Sequence, residues 1–259
     1  MMLSKEKIAA MDHNFVVAMG MLMSNSVLGE FFDSYRAGIY NSGLPDDHWN
    51  VVFVKRTTKK TREVMEKWEQ FFASRGLPFR VFFPPDLEGA FLPLLQEKGY
   101  TKSDAMPVMT LDAFSGKTDE SSGLVIRKVT TPEELRDYQD AEEKGFSLPA
   151  GSGSYVITEQ TFMLPEVEMF IGYAEGKPAC TSMLFPTGAV AGIYWVSTVP
   201  EYRNRGFGAA IAMRAVMAGR EKGCTLSVLQ ASAMGKPVYE RIGFDHPYDY
   251  PTYRSPVSK

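Results

Sequence analysis

The stretch from Ala191 to Phe244 constrains the fold of this 259-residue chain more than any other. Ala191 to Pro200 (AGIYWVSTVP) is dense in aromatic and β-branched residues and closes on a proline, so it reads as a strand. Arg203-Asn204-Arg205-Gly206-Phe207-Gly208 then opens a helix predicted to run to about Lys222, with Gly223 as its stop. An apolar strand, Thr225 to Ala231, follows, and a short helix leads into Gly243-Phe244. Strand, glycine-bearing loop, helix and strand in this order require an α/β arrangement with a helix N-terminus set at the end of a strand.

That arrangement has a chemical use. Without a Cβ at Gly206 and Gly208, an anionic group can approach the backbone N–H groups closely, and the helix start adds about half a unit of positive charge. A pyrophosphate suits such a loop. The charge distribution points the same way: the chain carries a formal net charge of -3, yet Pro200 to Arg241 holds seven Lys/Arg (203, 205, 214, 220, 222, 236, 241) against three Glu. The excess is local, which suits a multiply phosphorylated small ligand better than a nucleic-acid face.

The segment resembles the core of the GNAT-type N-acetyltransferases. Their Arg/Gln-x-x-Gly-x-Gly/Ala loop is met by Arg203, Gly206 and Gly208, and their tyrosine helix by Val238-Tyr239-Glu240-Arg241-Ile242-Gly243-Phe244. The resemblance is specific over about 192–244 and weaker before it. It implies acetyl-CoA as co-substrate: the backbone of Val196, Ser197 and Thr198 would pair with the pantetheine arm. Arg203, Asn204, Arg205, Gly206, Phe207, Gly208 and Ala209 would form the pyrophosphate loop, and Tyr239 would protonate the departing thiolate. Where the family often has asparagine seven residues before the tyrosine and alanine four before it, this chain has Ser232 and Gly235; the Ser232 hydroxyl is carried over as a cofactor contact.

The first half carries a faded copy of the same pattern. Pro237 to Phe244 aligns without gaps on Pro93 to Tyr100. Upstream, His48 to Lys55 reads as a strand. Val64, Met65, Trp68, Phe71 and Phe72 follow at helical spacing with Gly76 as the stop, and Pro78 to Phe83 supplies another strand. Aligned on Gly76 and Gly223, the loop 203–208 falls on Arg56 to Thr61, and Tyr239 falls on Leu95, so the glycines and the tyrosine are missing. The expectation is a mixed α/β chain of two tandem GNAT-like domains, each a mostly antiparallel mixed sheet flanked by helices. Residues 1–118 form a degenerate copy and 124–259 the catalytic one, with the boundary in the polar run Ser115 to Gly123. In the second half, Leu124 to Val129 is a strand and Thr130 or Thr131 caps a helix opening Pro-Glu-Glu. Glu168 to Tyr173 and Pro178 to Phe185 form a hairpin.

Composition narrows the rest. An apolar fraction of 44% can build two cores. Phe15 to Met23 is too short to span a bilayer and no secretion signal is evident, so a cytoplasmic protein without membrane contact is expected. Cys180 and Cys224 form neither a disulfide framework nor a metal cluster, so they are expected as buried thiols, with no metal. Met11, Met19, Met21 and Met23 crowd the first helix and are expected to pack.

An amine with a pKa near 10.4 is neutral at pH 7 about once in 2,500 molecules, roughly 4.6 kcal/mol, so a base or a desolvated site is needed. Glu168 and the Glu142-Glu143 pair are the candidates. Tyr194 and Trp195 stand beside the expected acetyl position and could wall the acceptor site or fill the core. The leading expectation is an acyltransferase moving acetyl from acetyl-CoA to a primary amine of a small molecule by direct attack. The alternative is an acyl-CoA-binding sensor without turnover. A transferase using aminoacyl-tRNA is disfavoured, because no broad basic surface is apparent. Neither the acceptor nor the oligomeric state is legible.

Overall fold

The computed structural model describes residues 4–112 and 123–256; most of the proposed boundary, 115–122, lies outside them. The first half runs α1 (Lys5–Asn25), β1 (Glu30–Asp33), β2 (Ala37–Asn41), β3 (Val51–Val54), α2 (Thr61–Ala73), β4 (Arg80–Phe82), α3 (Leu92–Glu97) and β5 (Thr101–Leu111). The second runs β6 (Leu124–Lys128), α4 (Pro132–Phe146), the one-turn helices α5 (Gly153–Val156) and α6 (Glu159–Phe162), β7 (Glu168–Ala174), β8 (Lys177–Thr187), β9 (Val190–Thr198), α7 (Phe207–Glu221), β10 (Leu226–Gln230), α8 (Lys236–Arg241) and β11 (Asp245–Arg254).

The expected elements form for the expected local reasons. Thr131 caps α4 by accepting from the Glu134 N–H (3.2 Å), and the Glu134 carboxylate accepts from the Thr130 N–H (2.8 Å). The helix after the glycine loop begins at Phe207 rather than at 203. Asn204 and Gly206 sit at φ 61 and 82, a left-handed conformation that cannot propagate a right-handed helix. The repeat survives in the hydrogen bonds of its stops. Gly76 and Gly223 both sit at positive φ, and the next N–H reaches back five residues in each case, Leu77 to Phe72 O (3.1 Å) and Cys224 to Gly219 O (2.9 Å). The short helices end alike, with Tyr100 N–H on Leu95 O (2.9 Å) and Phe244 N–H on Tyr239 O (3.0 Å).

All eleven strands among the described residues join one sheet, in the order β1-β2-β3-β4-β11-β5-β10-β9-β8-β7-β6. Pairing is antiparallel except for β3 with β4 and β9 with β10. At the centre the halves exchange their last strands: β5, from the first half, lies against β10, and β11, from the second, lies against β4, while β5 and β11 pair with each other. Neither strand shows clean alternation of polar and apolar residues, and β11 carries Pro247 and Pro251, so periodicity does not reveal them.

One face of the sheet is covered by α1 and α4–α6. Here Met11, Phe15, Ala18 and Leu22 of α1 bury themselves with Tyr40 and Phe53 of the first half and Tyr194, Val228 and Tyr250 of the second. The other face carries α7 and α8 over Leu184, Ile193 and Leu229, and α2 and α3 over Val52, Val81 and Tyr253. Met11 and Met23 are fully packed in the shared core, and Cys180 and Cys224 are buried free thiols, with burial pushing Cys180 up to about 12. Among the described residues no helix is long and apolar enough to cross a membrane.

Residues 124–259 produced alone would lack β5 and leave the edges of β10 and β11 bare. The expected outcome is an aggregated or poorly dispersed fragment by amide NMR, rescued by co-production with residues 1–118; a well-dispersed isolated fragment would contradict it.

Candidate functional site

β9 and β10 run side by side only from Val190 to Gly192, opposite Leu226 to Val228. Beyond Gly192 they part, while β9 stays paired with β8 on its other edge. A bulge reinforces the parting: Thr181 opposes Ser197 and Met183 opposes Tyr194, so Trp195 and Val196 together face Ser182. Trp195 takes φ 50 there, a conformation a bulky residue adopts only when its surroundings enforce it. Its carbonyl accepts from Thr181 Oγ1 (2.9 Å) and its indole Nε1 donates to Glu142 Oε1 (2.6 Å).

The opening leads into a cleft of about 600 Å³. Its wall includes Val196, Ser197 and Thr198 from β9, Arg203, Asn204 and Gly206 from the loop, and Phe207, Gly208 and Ala209 from the first turn of α7. Ser232, Tyr239 and Arg241 close the opposite side. The first bond closing α7 runs from the Ala210 N–H to Gly206 O (3.1 Å), so the preceding N–H groups of 207–209 point out along the helix axis. A Cβ at Gly208 would stand 3.2 Å from Thr198 Oγ1, which explains glycine at this close approach of helix to strand. Asn204 and Gly206 turn the backbone toward the cleft in a concave, N–H-rich loop.

Of the twelve residues nominated from sequence, Arg205 alone does not line the cleft. Its guanidinium donates to Glu175 Oε1 (3.1 Å) and stacks over Phe207 (4.9 Å). Arg203 lines the cleft but is a clamp: it donates to Thr198 O (3.2 Å) and Gly145 O (2.9 Å), tying the end of β9 to the end of α4. Ser232 Oγ accepts from the Gly235 N–H (3.1 Å) and shapes the turn into α8. The basic excess is also redistributed. Lys222 pairs with Glu168, Arg214 with Glu221, and Arg220 donates to Cys224, Leu111 and Asp112 carbonyls, which leaves Arg203 and Arg241 as the cleft-lining basic residues of that run. The phosphate argument therefore rests on backbone N–H groups more than on side-chain charge.

Tyr239 is 8% exposed, and burial raises its phenol well above the usual range, so it keeps its proton. The three glutamates nominated as bases fare differently. Glu168 is ion-paired with Lys128 (3.0 Å) and Lys222 (2.8 Å); although burial opposes ionisation, these two lysines hold its carboxyl below the ordinary value. Glu142 is fully buried behind the bulge; desolvation drives its pKa well up, and Oε2 has no hydrogen-bond partner among the described residues. Glu143 Oε2 accepts from the Gly153 N–H (3.1 Å). Among the described residues no Asp or Glu lines the cleft. Tyr194 and Trp195 belong to the core beneath the cleft, Tyr194 donating to Asn14 of α1 (2.6 Å).

The fold is that of solved GNAT proteins, including one built of two GNAT units in tandem. Residues 186–246 match the family model for the acetyltransferase (GNAT) domain. A GCN5-related N-acetyltransferase from Kribbella flavida superposes with a TM-score of 0.68 at 16% identity, covering 96% of each chain. One from Sphaerobacter thermophilus gives 0.67 at 17%, covering 88% of this chain and 83% of that one. A tandem GNAT protein from the clavulanic acid biosynthesis pathway gives 0.61 at 12%, covering 96% and 95%. No curated protein sequence matches. Residues 186–246 are thus similar to the GNAT acetyltransferase domain, and the chain as a whole has the fold of solved GNAT proteins, a tandem one among them.

Arg203→Ala removes two charge-assisted bonds to carbonyls and should cost about 1–3 kcal/mol in urea denaturation. An unchanged midpoint would mean that the clamp contributes nothing.

Proposed function

We propose that the protein transfers an acetyl group from acetyl-CoA to a primary amine of a small molecule within a ternary complex, using the second-half cleft, residues 124–259 forming the catalytic domain and 1–118 the copy without cofactor chemistry. The observation that carries this is the convergence on one cleft of three unrelated features. These are the unpaired edge of β9 at 196–198, the N-terminus of α7 with its positive-φ loop, and the protonated phenol of Tyr239.

Each feature has a role in the transfer. The free β9 edge offers N–H and C=O groups to an extended amide-bearing arm, as a missing strand would. Asn204 to Ala209 present N–H groups and the helix dipole to a pyrophosphate. Tyr239 holds a proton at its phenol oxygen for the departing thiolate. A thiol of this kind ionises near ~8.5, so its thiolate leaves readily and the acid contributes less than the usual ~10²–10⁴ in rate.

A second reading, an acyl-CoA-binding sensor without turnover, is favoured by one observation: among the described residues no carboxylate lines the cleft. Calorimetric titration with acetyl-CoA followed by thiol release on adding amines separates the two, and absence of binding would remove both. Gly206 precedes α7 at φ 82, a left-handed conformation that aspartate enters more readily than most other residues, so Gly206→Asp, with its fold checked by circular dichroism, places a negative charge in the loop at a modest backbone cost. Acetyl-CoA affinity should fall at least ~100-fold by electrostatic repulsion. Unchanged affinity would put the cofactor elsewhere. Tyr239→Phe should lower kcat by about 10–100-fold with acetyl-CoA affinity intact, and an unaltered kcat would reduce Tyr239 to packing.

A further inference from the structure

An ammonium group at pH 7 is neutral only about once in 2,500 molecules and must lose a proton before it can attack. The glutamates nominated in the second half are engaged elsewhere, Glu168 held by two lysines, Glu142 sealed in the core and Glu143 bonded to the Gly153 N–H, and among the described residues no Asp or Glu lines the cleft. The strand exchange brings in another. Asp12, on α1 of the first half, is part-buried on the face of the sheet opposite α7, and its Oδ1 accepts from Tyr250 (2.5 Å) and Tyr248 (3.3 Å) of β11. Both of these bonds fall on Oδ1, and Oδ2 has no hydrogen bond among the described residues.

The sheet register connects this carboxylate to the parting of β9 and β10. Tyr248 pairs with Val108 of β5, and Val108 pairs with Gln230 of β10, so the three stand in a row on one face of three neighbouring strands, roughly 10 Å across. Gln230 is the last residue of β10, at the level where β9 has already diverged, and both its Nε2 and its Oε1 are shielded from solvent with no hydrogen-bond partner among the described residues. A buried carboxamide with donor and acceptor both unused is a costly feature unless something occupies it. From the first half, Trp49 closes the same side, packed on Trp195 (5.8 Å) and on the cleft-lining Phe146 (5.9 Å).

We propose that Asp12 is the carboxylate that receives the acceptor amine, with Gln230 bonding the acceptor's polar group and Trp49 walling its apolar body, so that the acceptor site is shared between the halves and takes a primary amine on an apolar frame. This rests on the acetyltransfer reading. The ammonium gives one proton to Asp12; the freed nitrogen lone pair forms the C–N bond as the thioester C–S bond breaks. The thiolate takes the Tyr239 proton, the new amide nitrogen gives up its second proton to solvent, and solvent reprotonates Tyr239 and clears Asp12. The surroundings of Asp12 fit it for this role. Desolvation, only partly offset by the hydrogen bonds from Tyr250 and Tyr248, raises its carboxyl to about 6, leaving it ionised at neutral pH yet more basic than an exposed aspartate. The groups that face it are the two phenols, both raised by burial above their usual range and neutral through the working pH range.

The test uses the full chain with acetyl-CoA and phenethylamine, tyramine, tryptamine and cadaverine, with glucosamine as a polar control. Asp12→Asn preserves an acceptor for both phenols and removes a desolvated charge, so its Tm should be unchanged or higher and its acetyl-CoA affinity within about twofold of wild type. Thiol release should fall at least ~100-fold, the acid limb of kcat/KM near pH 6 should vanish, and Asp12→Glu should restore part of the rate. Wild-type release with an unaltered acid limb in Asp12→Asn would overturn the assignment. A readout independent of turnover is the ¹³C titration of the Asp12 carboxyl in the CoA complex, which a bound ammonium should lower by about one unit or more. If no amine moves either that titration or thiol release, the assignment fails; if wild type fails to bind acetyl-CoA, the acetyltransfer reading fails first and separately.

Discussion

The antiparallel pairing of β5 with β11 is the contact on which the rest of the molecule depends. It lies at the middle of the strand order, and each of its strands is bonded on its other edge to the sheet of the opposite half. Two copies of a fold become one sheet, and α1 becomes a core helix for both: Phe15 touches Tyr250 of one half and Phe53 and Phe82 of the other. A helix apolar on most of its surface is stable only when enclosed in this way, which accounts for the methionines that crowd it.

The cleft depends on a second, local constraint. Parallel strands at regular spacing leave no room for a ligand between them, so β9 must leave β10 and its freed backbone must be left for another partner. The bulge at Trp195 turns the strand, and the buried Glu142 holds the indole that pins it. Such a carboxyl is costly to bury, and neutralisation by protonation lessens the cost. The residue that resembles a base in the sequence thus has a positioning part, because depth of burial, invisible in a linear chain, decides between the two.

The legible and illegible portions divide along physical lines. Features that depend on neighbours in sequence were readable: the Thr131 cap, the glycine stops at 76 and 223, the hairpin of β7 and β8, and the loop before α7, whose left-handed residues are asparagine and glycine. The correspondence of Pro93–Tyr100 with Pro237–Phe244 was readable because the same tight helix stop needs the same residues, and it returns as matching hydrogen bonds. Eleven of the twelve nominated site residues line one cleft for the same reason: they lie close together on a strand end, a loop and a helix start, or on the short helix that follows and the turn into it. Arg205 departs because its guanidinium is drawn to Glu175 and the Phe207 ring, and no spacing rule records that.

The sequence by itself determined the local grammar of this protein: where its helices start and stop, which half keeps the glycine loop and the tyrosine, and that two similar units follow one another. Tertiary structure alone decided that the units trade their last strands, that Glu142 is sealed and Glu168 neutralised, and that Asp12 is carried from residue 12 to the side of Tyr248 and Tyr250. The physical reason is range. Caps, stops and turns are governed by bonds spanning three to five residues, whereas burial, register across strands and the company of a charged group are set by chain segments tens to hundreds of residues apart, whose meeting is determined by the packing of the whole core.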